Sequence, residues 1–113
     1  PKPIYIELSI QITNSNVFPG DGIDRIKQAI VDYAIGGAAA LGVDDGFSQT
    51  GFPPGESVIV SRLYTPINYI PGHRVTALTL GTSPSPVGTV DIPMVWNEYG
   101  SFTVGAIDIT VVP

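Results

Sequence analysis

His73 is the one histidine of the chain and therefore the first residue to test for acid–base chemistry. It follows Pro71-Gly72 at the start of a predicted strand, and no second proton-transfer group is near it in the sequence. Asp44-Asp45 offers adjacent carboxylates, which are hard oxygen ligands of the kind calcium prefers. Glu56 does not close an EF-hand loop counted from Asp44. We therefore expect His73 to be a turn residue and the two aspartates to be solvated.

The nucleophile and phosphate-loop motifs are incomplete. Gly55-Glu56-Ser57 lacks the second glycine of a Gly-x-Ser-x-Gly elbow. Gly20-Asp21-Gly22 lacks the third glycine of a dinucleotide loop and does not directly follow a strand. The chain has no cysteine, so thiolate metal ligands and disulfides are excluded. We expect no catalytic residues, no metal site and no cofactor.

Aromatic side chains are the stronger candidates for a binding role. Phe47 and Phe52 lie in a predicted loop, and Tyr64 and Tyr69 lie on a predicted helix. Together the four could form a sugar-stacking face, although core and cover positions fit their placement better.

A second aromatic group lies near a chain reversal, where Trp96 and Tyr99 flank Asn97 and Glu98. Amphipathic aromatic side chains at such a place can anchor a protein interface or cap the end of a sheet. The candidate interface residues are Phe47, Phe52, Trp96 and Tyr99. The candidate contact segments are the loops Gly42 to Gly55 and Gly81 to Gly88 and the turn Trp96 to Tyr99.

The composition favours one small domain with an assembly role. The 113 residues suffice for a single core. Charged residues make up 13%, about half the usual share, which is typical of a surface that other subunits cover. The net charge of −5 disfavours nucleic acid as a partner. No window offers the roughly 20 apolar residues that a membrane span needs.

Hydrophobic periodicity predicts the elements. Residues 3–13 alternate with period two, with isoleucine and leucine on one side, which indicates a strand covered on one face. Asp21 is the expected helix N-cap, its carboxylate accepting from backbone N–H groups of the first turn, with Asp24 adding favourable charge. An apolar stripe follows, and Gly36-Gly37 ends the helix. The stripe comprises Ile23, Ile26, Ile30, Tyr33 and Ala34.

The second half of the chain is expected to supply one helix and further strands. Ser61 is the expected cap of a helix that Pro66 kinks or delays. Residues 74–80 predict a strand, and 90–94 a short edge strand. A change of phase at Gly105 suggests a β-bulge in the last strand. The order predicts an α+β fold: a small antiparallel or mixed sheet with two helices packed on one face.

In this order and spacing, the segments resemble the C-terminal region of the baseplate J-like family of contractile-tailed phages and prophages. The resemblance covers the chain from about Pro3 to Val111. The residues that carry it are Ile4-Tyr5-Ile6-Glu7-Leu8-Ser9-Ile10, Pro19-Gly20, the helix Ile23 to Tyr33, Ser61-Arg62-Leu63-Tyr64, Ile70-Pro71-Gly72, Val75 to Leu80, Asp91-Ile92-Pro93 and Ile107-Asp108-Ile109-Thr110-Val111.

The resemblance implies a structural role without catalysis. Such a domain would pack with other baseplate subunits in a ring-like oligomer, in the baseplate of a virion tail assembled in the bacterial cytoplasm. We accordingly expect residues 1–113 to be one domain excised from the C-terminal region of a longer baseplate protein. The alternatives are a receptor- or carbohydrate-binding module using Phe52, Trp96 and Tyr99, and a metal-dependent hydrolase using Asp44, Asp45 and His73.

Overall fold

A three-stranded mixed sheet forms the centre of the fold. The computed structural model describes residues 2–42, 51–52, 58, 60–83, 88, 91–94 and 98–113. Its strands are β1 (Lys2–Pro3), β2 (Tyr5–Ile12), β3 (His73–Gly81), β4 (Gly100–Ser101) and β5 (Ile107–Val112), and its α-helices are α1 (Gly22–Gly36) and α2 (Tyr64–Asn68). Strand β2 lies between antiparallel β3 and parallel β5, while β1 and β4 form a separate parallel pair.

The alternation of β2 determines which face of the sheet is buried. Ile6, Leu8 and Ile10 are at most 1% exposed, whereas Glu7 between them is exposed. Each such buried side chain stabilises the fold by about 2 kcal/mol. Both helices pack on this face, with Ile30 of α1 and Ile67 of α2 in the same core. The predicted α+β fold, a mixed sheet with two helices on one face, is confirmed.

Helix α1 follows the predicted stripe and stop signal. Ile26, Ile30 and Tyr33 are fully buried, and Gly37 ends the helix with φ +67°. The expected capping bond of Asp21 is wrong: Asp21 occupies the N-cap position, but its side chain caps no backbone N–H. Its carboxylate instead accepts from Arg25 Nε at 2.8 Å, one turn along the helix.

Helix α2 begins later than expected. Ser61 lies within a 3₁₀ segment, Val60–Leu63, and Leu63 takes the N-cap position, so the predicted Ser61 cap is wrong. Pro66 is the third residue of α2, where its missing N–H has no intrahelical partner to lose. The prediction that Pro66 delays the helix agrees with the structure, in which a 3₁₀ turn comes first and α2 begins at Tyr64.

The bulge occurs in a different strand from the one expected. Residues Val104–Ala106, around Gly105, form a 3₁₀ turn that precedes β5, so no bulge interrupts the last strand. The register shifts instead between β2 and β3, where Ser9 pairs with Ala77 and Ile10 with Val75. Thr76 is the extra residue, and its hydroxyl donates to the Ser9 carbonyl at 3.0 Å. Because one residue of slip reverses the faces of a strand, the bulge keeps Val75 and His73 on the helix side.

The predicted edge strand at 90–94 is reduced to one bridge in the described residues. Val58 and Ile92 exchange two backbone hydrogen bonds of 2.9 Å, and both side chains are buried. Residue 90 of that prediction lies outside the described residues. In the part of the chain that the structure describes, no helix has the length and apolar character of a bilayer span.

Candidate functional site

Two of the predicted interface residues, Phe52 and Tyr99, line the same open recess beside the end of α1. The recess has a volume of about 500 Å³. Its described lining residues are Ala34, Ile35, Gly51, Phe52, Tyr99, Gly100, Ser101 and Phe102. We call it the aromatic recess. It joins three parts of the chain that are far apart in sequence, and only the fold brings them together.

The floor of the aromatic recess is held by backbone and ring contacts. Phe52 is 5% exposed and stacks on Phe102, with ring centroids 5.6 Å apart and planes 14° apart. The Phe52 N–H donates to the Ala34 carbonyl at 2.9 Å, which ties the loop to α1. At Gly51 an added Cβ would lie only 2.0 Å from the Ala34 oxygen, so only glycine allows this close approach. The floor is therefore preorganised.

Arg62 supports the floor from within the core. This side chain is 1% exposed, and its guanidinium carbon lies 4.7 Å from the Phe52 ring centroid and 5.2 Å from that of Tyr33. Arg62 Nε donates to the Tyr33 hydroxyl at 2.9 Å, and Nη1 donates to the Gly51 carbonyl at 3.4 Å. Cation–π contacts of a desolvated guanidinium are worth about 2 kcal/mol. Arg62 fixes both Phe52 and Gly51 and so shapes the recess.

Exposed apolar side chains lie at the rim. Ile35 is 80% exposed, the most exposed large hydrophobic residue that the structure describes, and Tyr99 is 42% exposed. Ile35 follows the buried Ala34 and falls off the apolar stripe of α1, so sequence reasoning about the stripe missed it. The available signal was an isoleucine at an outward position of an otherwise amphipathic helix.

The other aromatic candidates do not join this group. Phe47 and Trp96 lie outside the described residues, as do most of the loop Gly42 to Gly55 and part of the loop Gly81 to Gly88. Tyr69 lines a separate groove with Leu41 and Ala29, and Tyr64 lines neither cavity. Among the described residues, Phe52, Tyr64 and Tyr69 therefore form no common stacking face.

The acid–base candidates also lie apart from the aromatic recess. His73 contacts Phe18 at the far end of β3, while Asp44 and Asp45 are outside the described residues. Among the residues that the structure describes, no three His, Asp or Glu side chains cluster as a metal site would require. None of the described residues lining the recess is charged. Its chemistry is therefore burial of apolar surface, with the Tyr99 and Ser101 hydroxyls as hydrogen-bonding groups.

No protein-family model matches the chain, and no curated protein is similar to it at a significant level.

Proposed function

We propose that this chain is a structural domain of a contractile-tail baseplate and that the aromatic recess contacts a neighbouring subunit. The baseplate assignment rests on the order and spacing of the sequence segments. The observation that supports an assembly role is Ile35, 80% exposed beside a recess with no charged residue in its described lining. A large apolar side chain next to a preformed apolar cavity is typical of the anchor region of a protein interface.

The alternative of carbohydrate binding finds less support in this arrangement. Sugar rings stack on exposed aromatic faces, but Phe52 is 5% exposed and already contacts Phe102 and Arg62. Among the described lining residues, Tyr99 is the aromatic ring with substantial exposure. The recess therefore fits an inserted apolar side chain of a partner better than a sugar.

Ile35→Glu is the sharpest test of the contact surface. An anchor residue contributes about 2 kcal/mol or more, so we expect incorporation into tail particles to fall roughly 30-fold. The isolated domain should keep its stability within about 0.5 kcal/mol, because the side chain is exposed. Val17→Glu is the matched control, since Val17 is 47% exposed on a different surface. Incorporation is measured by immunoblot of purified particles after complementation of a deletion in the host that carries the gene.

Normal incorporation of both variants would exclude the recess as a subunit contact. The baseplate location is tested separately by electron microscopy of tails decorated with an antibody against this domain. Label at the tail end, or there only after mild disassembly, supports the proposal. Unlabelled intact and dissociated tails, beside a soluble pool of the protein, would overturn it, and glycan binding that depended on Tyr99 would favour the alternative.

A further inference from the structure

Residues 13–20, which connect β2 to α1, fold back over the start of β3; we call this segment the strap. The Thr13 and Asn14 N–H groups both donate to the Gly72 carbonyl, at 2.9 and 3.2 Å. Phe18 packs edge-on against the His73 ring, with centroids 5.8 Å apart and planes at 82°. Gly72-His73 therefore holds the strap through two hydrogen bonds and one ring contact.

The two ring nitrogens of His73 are buried, although the residue as a whole is partly exposed. Neither nitrogen makes a hydrogen bond of regular geometry in the structure. Burial lowers the pKa of His73 below its ordinary value, and the Ile70 backbone opposes this effect without overcoming it. The β-bulge at Thr76 accounts for the burial of the ring nitrogens, because it turns His73 toward the helix side of the sheet.

In the part of the chain that the structure describes, no charged side chain contributes to the pKa shift of His73. The strap contains no acidic or basic residue, and Ile12, the register partner of His73 on β2, is apolar. The nearest charged residues along these elements are Asp21, Asp24, Arg25 and Arg74. Asp21 pairs with Arg25 at 2.8 Å, and Arg74 Nε donates to Gln11 at 2.6 Å. The pKa of His73 is shifted by desolvation and the Ile70 backbone, not by any of these charges.

We propose that His73 is an acid-sensitive latch whose protonation releases the strap from Gly72-His73. Protonation would place a charge at buried nitrogens that have no hydrogen-bond partner, and displacement of Phe18 would admit water to them. Release would also take apart the open apolar groove that Phe18 lines together with Ile12 and Ile23. The inference does not depend on the proposed function.

The direction of the pH effect follows from proton linkage. With the strap open, His73 titrates near its ordinary pKa of about 6.5; with the strap closed, its pKa is lower. The open form therefore binds more protons, so closure is complete above the open-form pKa and weakens as the pH falls through the window between the two values. His73 is the chain's only histidine, so its ring signals are unambiguous.

The test is hydrogen exchange of the Thr13 and Asn14 amides in the full chain, with NMR titration of the His73 ring. After correction for intrinsic rates, the opening equilibrium should rise by up to about fivefold between pH 6.5 and pH 5.5. The Leu8 amide, in the central strand, serves as the internal control. In His73→Phe, whose ring is apolar and does not titrate, the pH dependence of the two strap amides should disappear.

Equal pH dependence in the wild-type chain and His73→Phe would overturn the latch. A His73 ring that titrates at or above its ordinary pKa with the strap still protected would overturn it as well. If His73→Phe does not fold, His73→Gln takes its place, since a neutral amide likewise carries no proton-linked charge. Strap protection in His73→Gln that is independent of pH supports the proposal, and protection that falls with pH as in the wild type contradicts it.

Discussion

Arg62→Ala should reduce the free energy of unfolding by about 3–5 kcal/mol, an effect as large as the loss of a fully buried core side chain. The change removes charge-assisted hydrogen bonds to the Tyr33 hydroxyl and the Gly51 carbonyl. It also removes the guanidinium from beneath Phe52 and leaves a void in the core, because Arg62 is 1% exposed. Chemical denaturation measured by circular dichroism gives the difference directly.

Arg25→Ala is the matched control for this loss. Arg25 pairs with Asp21 at 2.8 Å, but both side chains are more than half exposed, so the pair contributes at most a few tenths of a kcal/mol. The loss of free energy of unfolding in Arg62→Lys should lie between those of Arg62→Ala and Arg25→Ala, since lysine retains the charge but not the planar fork of donors. Equal losses for Arg62→Ala and Arg25→Ala would show that the buried contacts of Arg62 do not stabilise the fold.

Gly72→Ala should destabilise the fold by about 3 kcal/mol or more, well beyond the cost of its backbone conformation. Gly72 has φ +94°, and an added Cβ would lie 2.5 Å from the Phe18 nitrogen and 2.8 Å from its α-carbon. These are backbone atoms, so the strap itself must move, and the Thr13 and Asn14 hydrogen bonds to Gly72 move with it. Thermal and denaturant unfolding measure the loss.

Gly42→Ala separates the cost of the backbone conformation from the cost of the contact with Phe18. Gly42 also has a left-handed backbone, φ +71°, but nothing lies within 4 Å of its added Cβ. Its cost should be the conformational penalty alone, about 1–2 kcal/mol. If both alanine variants lose the same free energy of unfolding, the contact of an added Cβ with Phe18 adds nothing to the cost of Gly72→Ala.

The sequence pattern predicted those elements whose burial is periodic. The alternation of β2, the stripe of α1 and the stop at Gly37 each repeat one local rule, and the structure follows them. The expectations at Asp21, Ser61 and Gly105 were wrong because each depended on a single local signal for which another arrangement was available. Asp21 forms an ion pair with Arg25 instead of a cap, and Ser61 lies within a 3₁₀ turn. A second 3₁₀ turn accounts for the change of phase at Gly105.

The aromatic recess was predicted only in part. Phe52 and Tyr99 were recognised as aromatic residues outside a clear apolar period, but their proximity depends on the packing of distant segments. Arg62 was not identified as a support of the site, because a basic residue in a predicted helix reads as solvent-exposed until its burial is known. Ile35 was missed because helix periodicity identifies the apolar residues of the buried stripe and not an apolar residue outside it.

The parallel pairing of β2 with β5 has a mechanical consequence. These strands lie about 100 residues apart in the chain yet are direct neighbours, joined over six register pairs from Ile6–Ile107 to Gln11–Val112. The chain enters β2 at one end of this pair and leaves β5 at the opposite end. Opposed forces on the two flanking segments therefore shear the ladder and load its hydrogen bonds together, instead of opening them one at a time. Together with the short β1–β4 pair, this strand pair would resist tension applied along the chain.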